Sequence, residues 1–333
     1  MFFFNMPKYG LIINPVSGTR TRDQKKKILE DLIASFSDVT ASGLDTESEE
    51  EFIQAAQELS KHVETLVVAG GDGSLSDIFN ALPKEQLFGF VPLGTGNALR
   101  YALSLPDDPI LAAEQIKHGT INYIDLIAYD SIDIPDIRID DQDAAVIKAA
   151  DLKDAGPKDS DPKIDGITSS TYKKGYLISV GFDAAVLESQ QLRLDQASKG
   201  LKSYVLPILK QVASFEGSDG FYSIDEQYFN DAHITSFVVT KIPYYGSGFK
   251  IVPDARYDDG NLYVVVSDSG IIGHAIDCLR IGFGYGRSGD LYTCKKADLL
   301  LTDPLFLQRD GNLEKRQNSF YFKILPRELR LRY

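Results

Sequence analysis

The feature that most constrains this chain is an apolar run that passes straight into a cluster of glycines. Val67-Val68-Ala69 has the character of a buried strand, and Gly70-Gly71-Asp72-Gly73-Ser74 turns it into a helix expected over Leu75 to Leu82. Glycines let backbone amides approach phosphate oxygens, and a helix N-terminus adds partial positive charge that favours an anion. Asp72 is the odd member of such a cradle. A carboxylate beside phosphates repels them unless it binds Mg²⁺ or takes a proton from an attacking hydroxyl, which points to chemistry. The alternative is that Asp72 only caps the following helix, with Ser74 doing similar work.

Two more turns share this chemistry. Asn14-Pro15-Val16-Ser17-Gly18 ends the strand Tyr9 to Ile13, and Pro92-Leu93-Gly94-Thr95-Gly96-Asn97 ends the strand Leu87 to Val91. Helical periodicity over Asp23 to Phe36 and from Ala98 alternates with these strands, a βαβ pattern with a mainly parallel sheet. Ligands of open α/β sheets bind at the carboxyl edge, where all three turns would lie. Either outer turn taken alone could be an ordinary loop.

Further along, the pattern changes twice. Between Asp130 and Asp165 there are eleven aspartates, read as an acidic insertion over 130–168 with a solvated surface. Beyond Tyr176, strand-like runs at Tyr176–Val180, His233–Thr240, Leu262–Ser267 and Ala297–Leu301 predict a largely antiparallel β domain, with a helix Ile271–Ile281 packed on it. Ser319–Ile324 and Glu328–Tyr333 read as closing strands. The expected division is an α/β domain at 1–126 and a β domain at 127–315, with about 316–333 returning to the first. Leu201, Tyr204, Val205, Ile208, Leu209 and Val212 form a helical apolar stripe that could cover acyl chains, touch a membrane or pack on the β domain.

Composition excludes several classes. A net charge of −13 argues against nonspecific nucleic-acid binding and against broad adhesion to anionic lipid. No run reaches the roughly 18 apolar residues of a membrane span. The opening Met-Phe-Phe-Phe-Asn-Met-Pro lacks a basic n-region and a long h-region, so it is not read as a signal peptide. Cys278 and Cys294 give no disulfide framework or zinc spacing, consistent with a reducing cytoplasm. His62, His118, His233 and His274 show no metal spacing.

The three turns in this order resemble the catalytic family of diacylglycerol kinases, which includes sphingosine, ceramide and bacterial lipid kinases. The resemblance continues through Ile124-Asp125-Leu126, Val180-Gly181-Phe182-Asp183-Ala184, Tyr245-Gly246-Ser247-Gly248, Pro253-Asp254-Ala255, Asp258-Asp259-Gly260-Asn261-Leu262, Asp310-Gly311 and Leu325-Pro326-Arg327-Glu328-Leu329. It implies a Rossmann-like, NAD kinase-like nucleotide domain followed by an antiparallel β-sandwich, with ATP and lipid meeting in the cleft between them. It implies ATP and Mg²⁺ as cofactors. Asn14, Ser17, Gly18, Gly70, Gly71, Gly73, Ser74, Gly94, Thr95, Gly96, Asn97 and Arg193 would contact the nucleotide. Asp72, Asp125 and Asp310 would form a catalytic carboxylate network, and Asp258 with Asp259 would hold a structural Mg²⁺, although a β-turn reads equally well there. The expected partners are a lipid substrate and transient peripheral contact with a membrane; a homodimer is one permitted assembly.

Two departures bear on activity. The family's Asp-Gly-Glu is here Asp310-Gly311-Asn312, and an amide cannot take a proton or hold a metal as a carboxylate does. After Asn97 the chain continues Ala98-Leu99, as sphingosine kinases do, whereas Val186 falls where those kinases place an aspartate for the substrate amine. The balance favours a neutral, diacylglycerol-like alcohol. The alternatives are a sphingosine-type kinase, an NAD or polyphosphate-dependent kinase, and a nucleotide-binding regulator without catalysis.

Overall fold

The computed structural model describes residues 8–36, 38–134, 172–194, 215–270 and 288–333, with a few isolated positions between the last two stretches. The expected helices Leu201–Val212 and Ile271–Ile281, and most of the acidic insertion, lie outside the described residues. The chain divides into two compact units. The first comprises residues 1–126, 242–259 and 326–333, and the second 127–241 and 260–325. Residues 242–259, which the sequence pattern assigns to the β domain, thus group with the first unit.

In the first unit the elements are β1 (Tyr9–Ile13), α1 (Arg22–Ser35), β2 (Val39–Ser42), α2 (Glu49–Ser60), β3 (Thr65–Gly70), α3 (Asp72–Ala81), β4 (Leu87–Pro92), α4 (Ala98–Leu103), α5 (Pro109–His118) and the start of β5 (Ile121–Ile132). Strands β2, β1, β3 and β4 lie side by side in that order, all parallel. Every residue of β1, β3 and β4 is buried, as expected of a sheet covered on both faces. On one face Tyr9, Leu11, Ile13, Val67, Ala69 and Val91 pack against Leu32 and Phe36 of the α1 end and Ala112, Ala113 and Ile116 of α5. On the other, α2 comes so near that a Cβ on Gly10 would stand 2.9 Å from Leu59 and Val63.

The helices start where local chemistry dictates. Thr21 and Gln24 form a reciprocal capping box at α1, Ser48 caps α2 ahead of three glutamates, and Asp108 caps α5 with Pro109 at its first position. The α3 helix begins at Asp72, not at Leu75 as the sequence pattern suggests, because Gly71 already takes the N-cap position.

The second unit is antiparallel. Its elements are the rest of β5, then β6 (Lys173–Gly175), β7 (Leu177–Gly181), α6 (Phe182–Leu194), β8 (Ser218–Ile224), β9 (Gln227–Ile234) and β10 (Ser236–Thr240). After two short strands of the first unit, β11 (Tyr244–Tyr245) and β12 (Phe249–Lys250), come β13 (Leu262–Ser267), β14 (Asp290–Cys294), β15 (Lys296–Arg309) and β16 (Asn312–Arg332). The sandwich arises from β15. Residues 297–301 pair with β8, whereas 307–309 pair with β7, and the ladder to β16 shifts register between Leu300 and Leu305, around Pro304. One long strand therefore serves two layers, and Ile178, Val180, Phe237, Val239, Val264, Leu299, Leu307 and Phe322 fill the core. The expected strand at Ala297–Leu301 is the first half of this longer one, and the two expected closing strands are one, β16. Its last residues return to the first unit, where Arg330 and Leu331 pair in parallel with Leu87 and Phe88.

Candidate active site

Parallel register brings the carboxyl ends of β1, β3 and β4 together, with Ile13 opposite Ala69 and Ala69 opposite Val91. The three turns that leave these ends are joined by short backbone bonds. Asn14 N donates to Ala69 O at 3.0 Å, and Leu93 N and Gly94 N both donate to Gly70 O, at 2.7 and 3.1 Å. Asn14 Nδ2 adds a bond to Ser74 Oγ at 2.8 Å, linking the first turn to the second. Two contacts require glycine: a Cβ on Gly94 would lie 2.5 Å from Gly71 Cα, and one on Gly18, whose φ is +66°, would lie 2.3 Å from Leu93 O.

Within the first turn, Asn14 Oδ1 accepts from Val16 N at 2.9 Å and Ser17 Oγ donates to Asn14 O at 3.3 Å. In the third, Asn97 sits in the left-handed region with φ 46°, and its Nδ2 donates to Gly94 O at 2.7 Å. Thr95 is exposed at the tip of this turn, and Gly73 lies in the first turn of α3.

Asp72 does not cap its own helix. Its Oδ2 accepts from Ala98 N at 2.6 Å and its Oδ1 from Leu99 N at 3.2 Å, so it ties the second turn to the first residues of α4. Ser74 likewise serves Asn14 instead of an α3 cap. Both bonds are accepted by carboxylate oxygens, the atom type that also binds a cation or takes a substrate proton.

The hairpin of β11 and β12 backs the third turn. Ser247 N donates to Gly96 O at 2.7 Å, and a Cβ on Gly246 would stand 3.1 Å from Gly96 Cα, so two glycines face each other. The Tyr101 and Tyr244 rings lie 5.8 Å apart beside this contact.

The remaining expected residues divide between the units. Asp125, 1% exposed in the first, accepts from Arg327 N at 2.8 Å through Oδ1, while its own N–H donates to Tyr257 O at 2.8 Å. Asp310, 2% exposed in the second, accepts from Tyr176 N at 3.1 Å and Leu177 N at 2.9 Å. Asp258 pairs with Arg256 at 3.7 Å in an exposed turn, with Asp259 beside it. Among the described residues no three His, Cys, Asp or Glu side chains group to hold a metal by themselves. Arg193 falls in the last turn of α6, and its side chain lies outside the described residues.

Sequence reasoning missed two cations. Arg20 Nη1 donates to Leu93 O at 3.3 Å, and the fully buried Lys25 donates through Nζ to Pro15 O at 2.7 Å. Burial first and the charge of Arg20 second push the Lys25 ammonium down to about 8. The signal that could have found them is the Thr21-x-x-Gln24 capping box, which places Arg20 just before the helix and Lys25 in its first turns, next to the Asn14–Gly18 turn.

Residues 8–129 match the diacylglycerol kinase catalytic domain, and residues 176–278 match the YegS C-terminal NAD kinase beta sandwich-like domain. A diacylglycerol kinase of Staphylococcus carnosus is 30% identical over 122 residues, covering 35% of this chain and 39% of that protein. One of Staphylococcus saprophyticus is 29% identical over 122 residues with the same coverage, 35% and 39%. The match thus spans about two fifths of the length of these relatives. A crystal structure of a diacylglycerol kinase from Bacillus anthracis superposes with a TM-score of 0.65 at 18% identity, over 99% of this chain and 98% of that one, a likeness of fold. The two matched domains, in this order, make the chain a member of the family that joins a diacylglycerol kinase catalytic domain to a YegS-type β-sandwich.

Proposed function

We propose that this chain is a lipid kinase that transfers the γ-phosphate of ATP to a lipid hydroxyl, with a diacylglycerol-like alcohol as acceptor. The observation that carries the reading is the interlocking of three glycine-bearing turns at one sheet edge, with Asp72 in the middle turn bonded to the amides of Ala98 and Leu99. Phosphoryl transfer asks mainly for donors, charge neutralisation and alignment, and the turns supply amides, hydroxyls and side-chain amides in one place.

In this reading Asn14, Ser17, Gly18, Gly70, Gly71, Gly73, Ser74, Gly94, Thr95, Gly96 and Asn97 surround the phosphates, and Arg193 adds a cation. Asp72 accepts the proton of the lipid hydroxyl as its oxygen attacks the γ-phosphorus and the bond to the β-phosphate oxygen breaks. Mg²⁺ fits Asp72, since such sites use one or two carboxylates and otherwise phosphates and water, and when bound it neutralises phosphate charge. Asp125 and Asp310 enter as positioning carboxylates, because both hold backbone amides of neighbouring segments. Asp258 faces Arg256, which favours a turn role over a metal role.

A second reading, nucleotide binding without transfer, is favoured by Asn312 in place of the family's glutamate. Incubation with γ-labelled Mg·ATP and micellar diacylglycerol, monoacylglycerol, sphingosine or ceramide, with NAD as a soluble control, separates the readings. Labelled diacylglycerol is the expected product. ATP binding without labelled lipid points to the regulator, and labelled NAD to a dinucleotide kinase. Asp72→Asn should lower turnover by about a hundredfold or more while ATP affinity stays within a few-fold. Its stability should fall by only about 1 kcal/mol, for one disturbed cap bond. Unchanged turnover in this variant removes Asp72 from the chemistry.

A further inference from the structure

The donors at the three turns are nearly all neutral amides and hydroxyls, and two cations stand out among them. Arg20 and Lys25 are close enough for the guanidinium to depress the ammonium, and among the described residues neither pairs with a carboxylate. In a chain with 48 acidic side chains against 35 basic ones, two adjacent unneutralised cations are an unfavourable arrangement for an empty fold. Lys25 is the more costly of the two. An ammonium with no solvent exposure and a carbonyl as its bonding partner loses hydration that one neutral acceptor restores only in part.

The local structure holds this pair in place. The capping box between Thr21 and Gln24 fixes the start of α1 through bonds of 2.9 and 3.3 Å, so Arg20 leaves the backbone immediately before the N-cap and Lys25 immediately after the box. Lys25 reaches back to Pro15 O in the first turn, and Arg20 reaches across to Leu93 O in the third. Leu93 O is also the atom that Gly18 approaches. The two cations therefore brace the first turn and join it to the third. A guanidinium carries five donors in a planar fork suited to phosphate, and a single long bond to a carbonyl uses one of them.

We propose that Arg20 is a polyphosphate-binding residue of the turn cluster and that Lys25 is a positioning residue that sets the Asn14–Gly18 turn and adds charge beneath it. The ligand is the polyphosphate chain of a nucleotide, which carries enough negative charge to relieve both cations at once. The inference rests on the reading that ATP phosphates occupy these turns, and it assigns their charge neutralisation to α1 as well as to the glycine-rich turn.

Calorimetric titration of the full chain with ATP, inorganic tripolyphosphate and adenosine, all without Mg²⁺, tests it. Arg20→Gln is expected to weaken ATP and tripolyphosphate about tenfold, or about 1.4 kcal/mol, and to leave adenosine unchanged. Arg20→Lys, which keeps the charge and loses the fork, should recover part of the loss. Lys25→Met should weaken both phosphate ligands several-fold without lowering the melting temperature, whereas a merely structural lysine would lower the melting temperature and leave the affinity of the folded protein unchanged. Should Lys25→Met not fold, the part-exposed Arg20 carries the test. Binding of ATP to Arg20→Gln within twofold of the unaltered protein overturns the inference while leaving the kinase reading intact. Failure of the unaltered protein to bind either ATP or tripolyphosphate overturns both.

Discussion

Two hairpin turns of the second unit reach the same solution with different residues. Asp310 and Gly311, with φ of 49° and 90°, connect the paired residues Arg309 and Asn312. Asp225 and Glu226, with φ of 46° and 74°, connect Ile224 and Gln227. Positive φ at both central positions defines the hairpin turn whose twist matches that of the strands, and aspartate tolerates it better than most side chains. In each case the aspartate's Oδ1 takes two successive backbone amides: Tyr176 and Leu177 for Asp310, and Lys295 at 2.8 Å and Lys296 at 3.0 Å for Asp225. The recurrence at a turn with no glycine-rich motif near it supports an anchoring role for Asp310. Asp310→Ala and Asp225→Ala should each cost about 1 to 3 kcal/mol, measured by urea unfolding, since each leaves two amides unbonded. Asp310→Asn retains an acceptor and the left-handed tolerance, so it should lose less stability than the alanine variant and keep most of the transfer rate. Equal loss of rate in the asparagine and alanine variants, both fully folded, would instead make the carboxylate's charge essential.

At the scale of elements, the β11–β12 hairpin shows how a segment can serve one unit from within the sequence of another. It lies between β10 and β13, which are neighbours in the second unit, yet its contacts are with the third turn and α4 of the first. Gly246 against Gly96 permits that approach, and a side chain at position 246 would strike backbone that cannot rotate away. Gly246→Val is expected to weaken ATP about tenfold, or 1.4 kcal/mol, by displacing the Gly94–Asn97 turn. Its melting temperature should fall little, because Ser247 and Phe249 are exposed and bury little area. Phe249→Ser serves as the matched control, and wild-type affinity in the valine variant would detach the hairpin from the site. This docking was not legible in the sequence, for two-residue strands carry no periodicity and a glycine pair distant in the chain announces no contact. The three turns were legible because each follows an uninterrupted apolar strand and uses residues whose backbone or side-chain chemistry is local. The target of Asp72 was not, since its partners, Ala98 and Leu99, are brought near only by the β3–β4 register. The bend of β15 at Pro304 escaped for a related reason: apolar alternation predicts a strand but not which neighbours its two halves will choose.

For the whole molecule the decisive quantity is charge. A lipid kinase must meet its acceptor at an interface, and a net charge of −13 repels an anionic bilayer at long range. Among the described residues no helix is long and apolar enough to cross a membrane. Among the described residues the large apolar side chains with high exposure include Val16, Tyr285 and Leu291. Contact is then expected to come from local apolar insertion, and the stripe Leu201, Tyr204, Val205, Ile208, Leu209 and Val212 is the sequence segment with the spacing to provide it. The two mechanisms respond oppositely to salt. Electrostatic adhesion weakens as ions screen it, whereas apolar insertion is unaffected or strengthened, and screening also removes the repulsion of an acidic protein from anionic lipid. Vesicle sedimentation should therefore show binding to diacylglycerol-containing neutral vesicles that persists at high salt, and weaker binding to anionic vesicles at low salt that rises as salt is added. Ile208→Glu with Leu209→Glu should abolish the neutral-vesicle binding while transfer to a short-chain, water-soluble diacylglycerol continues. Release from anionic vesicles on adding salt would reverse the assignment, placing a basic surface in charge of membrane contact despite the acidic whole.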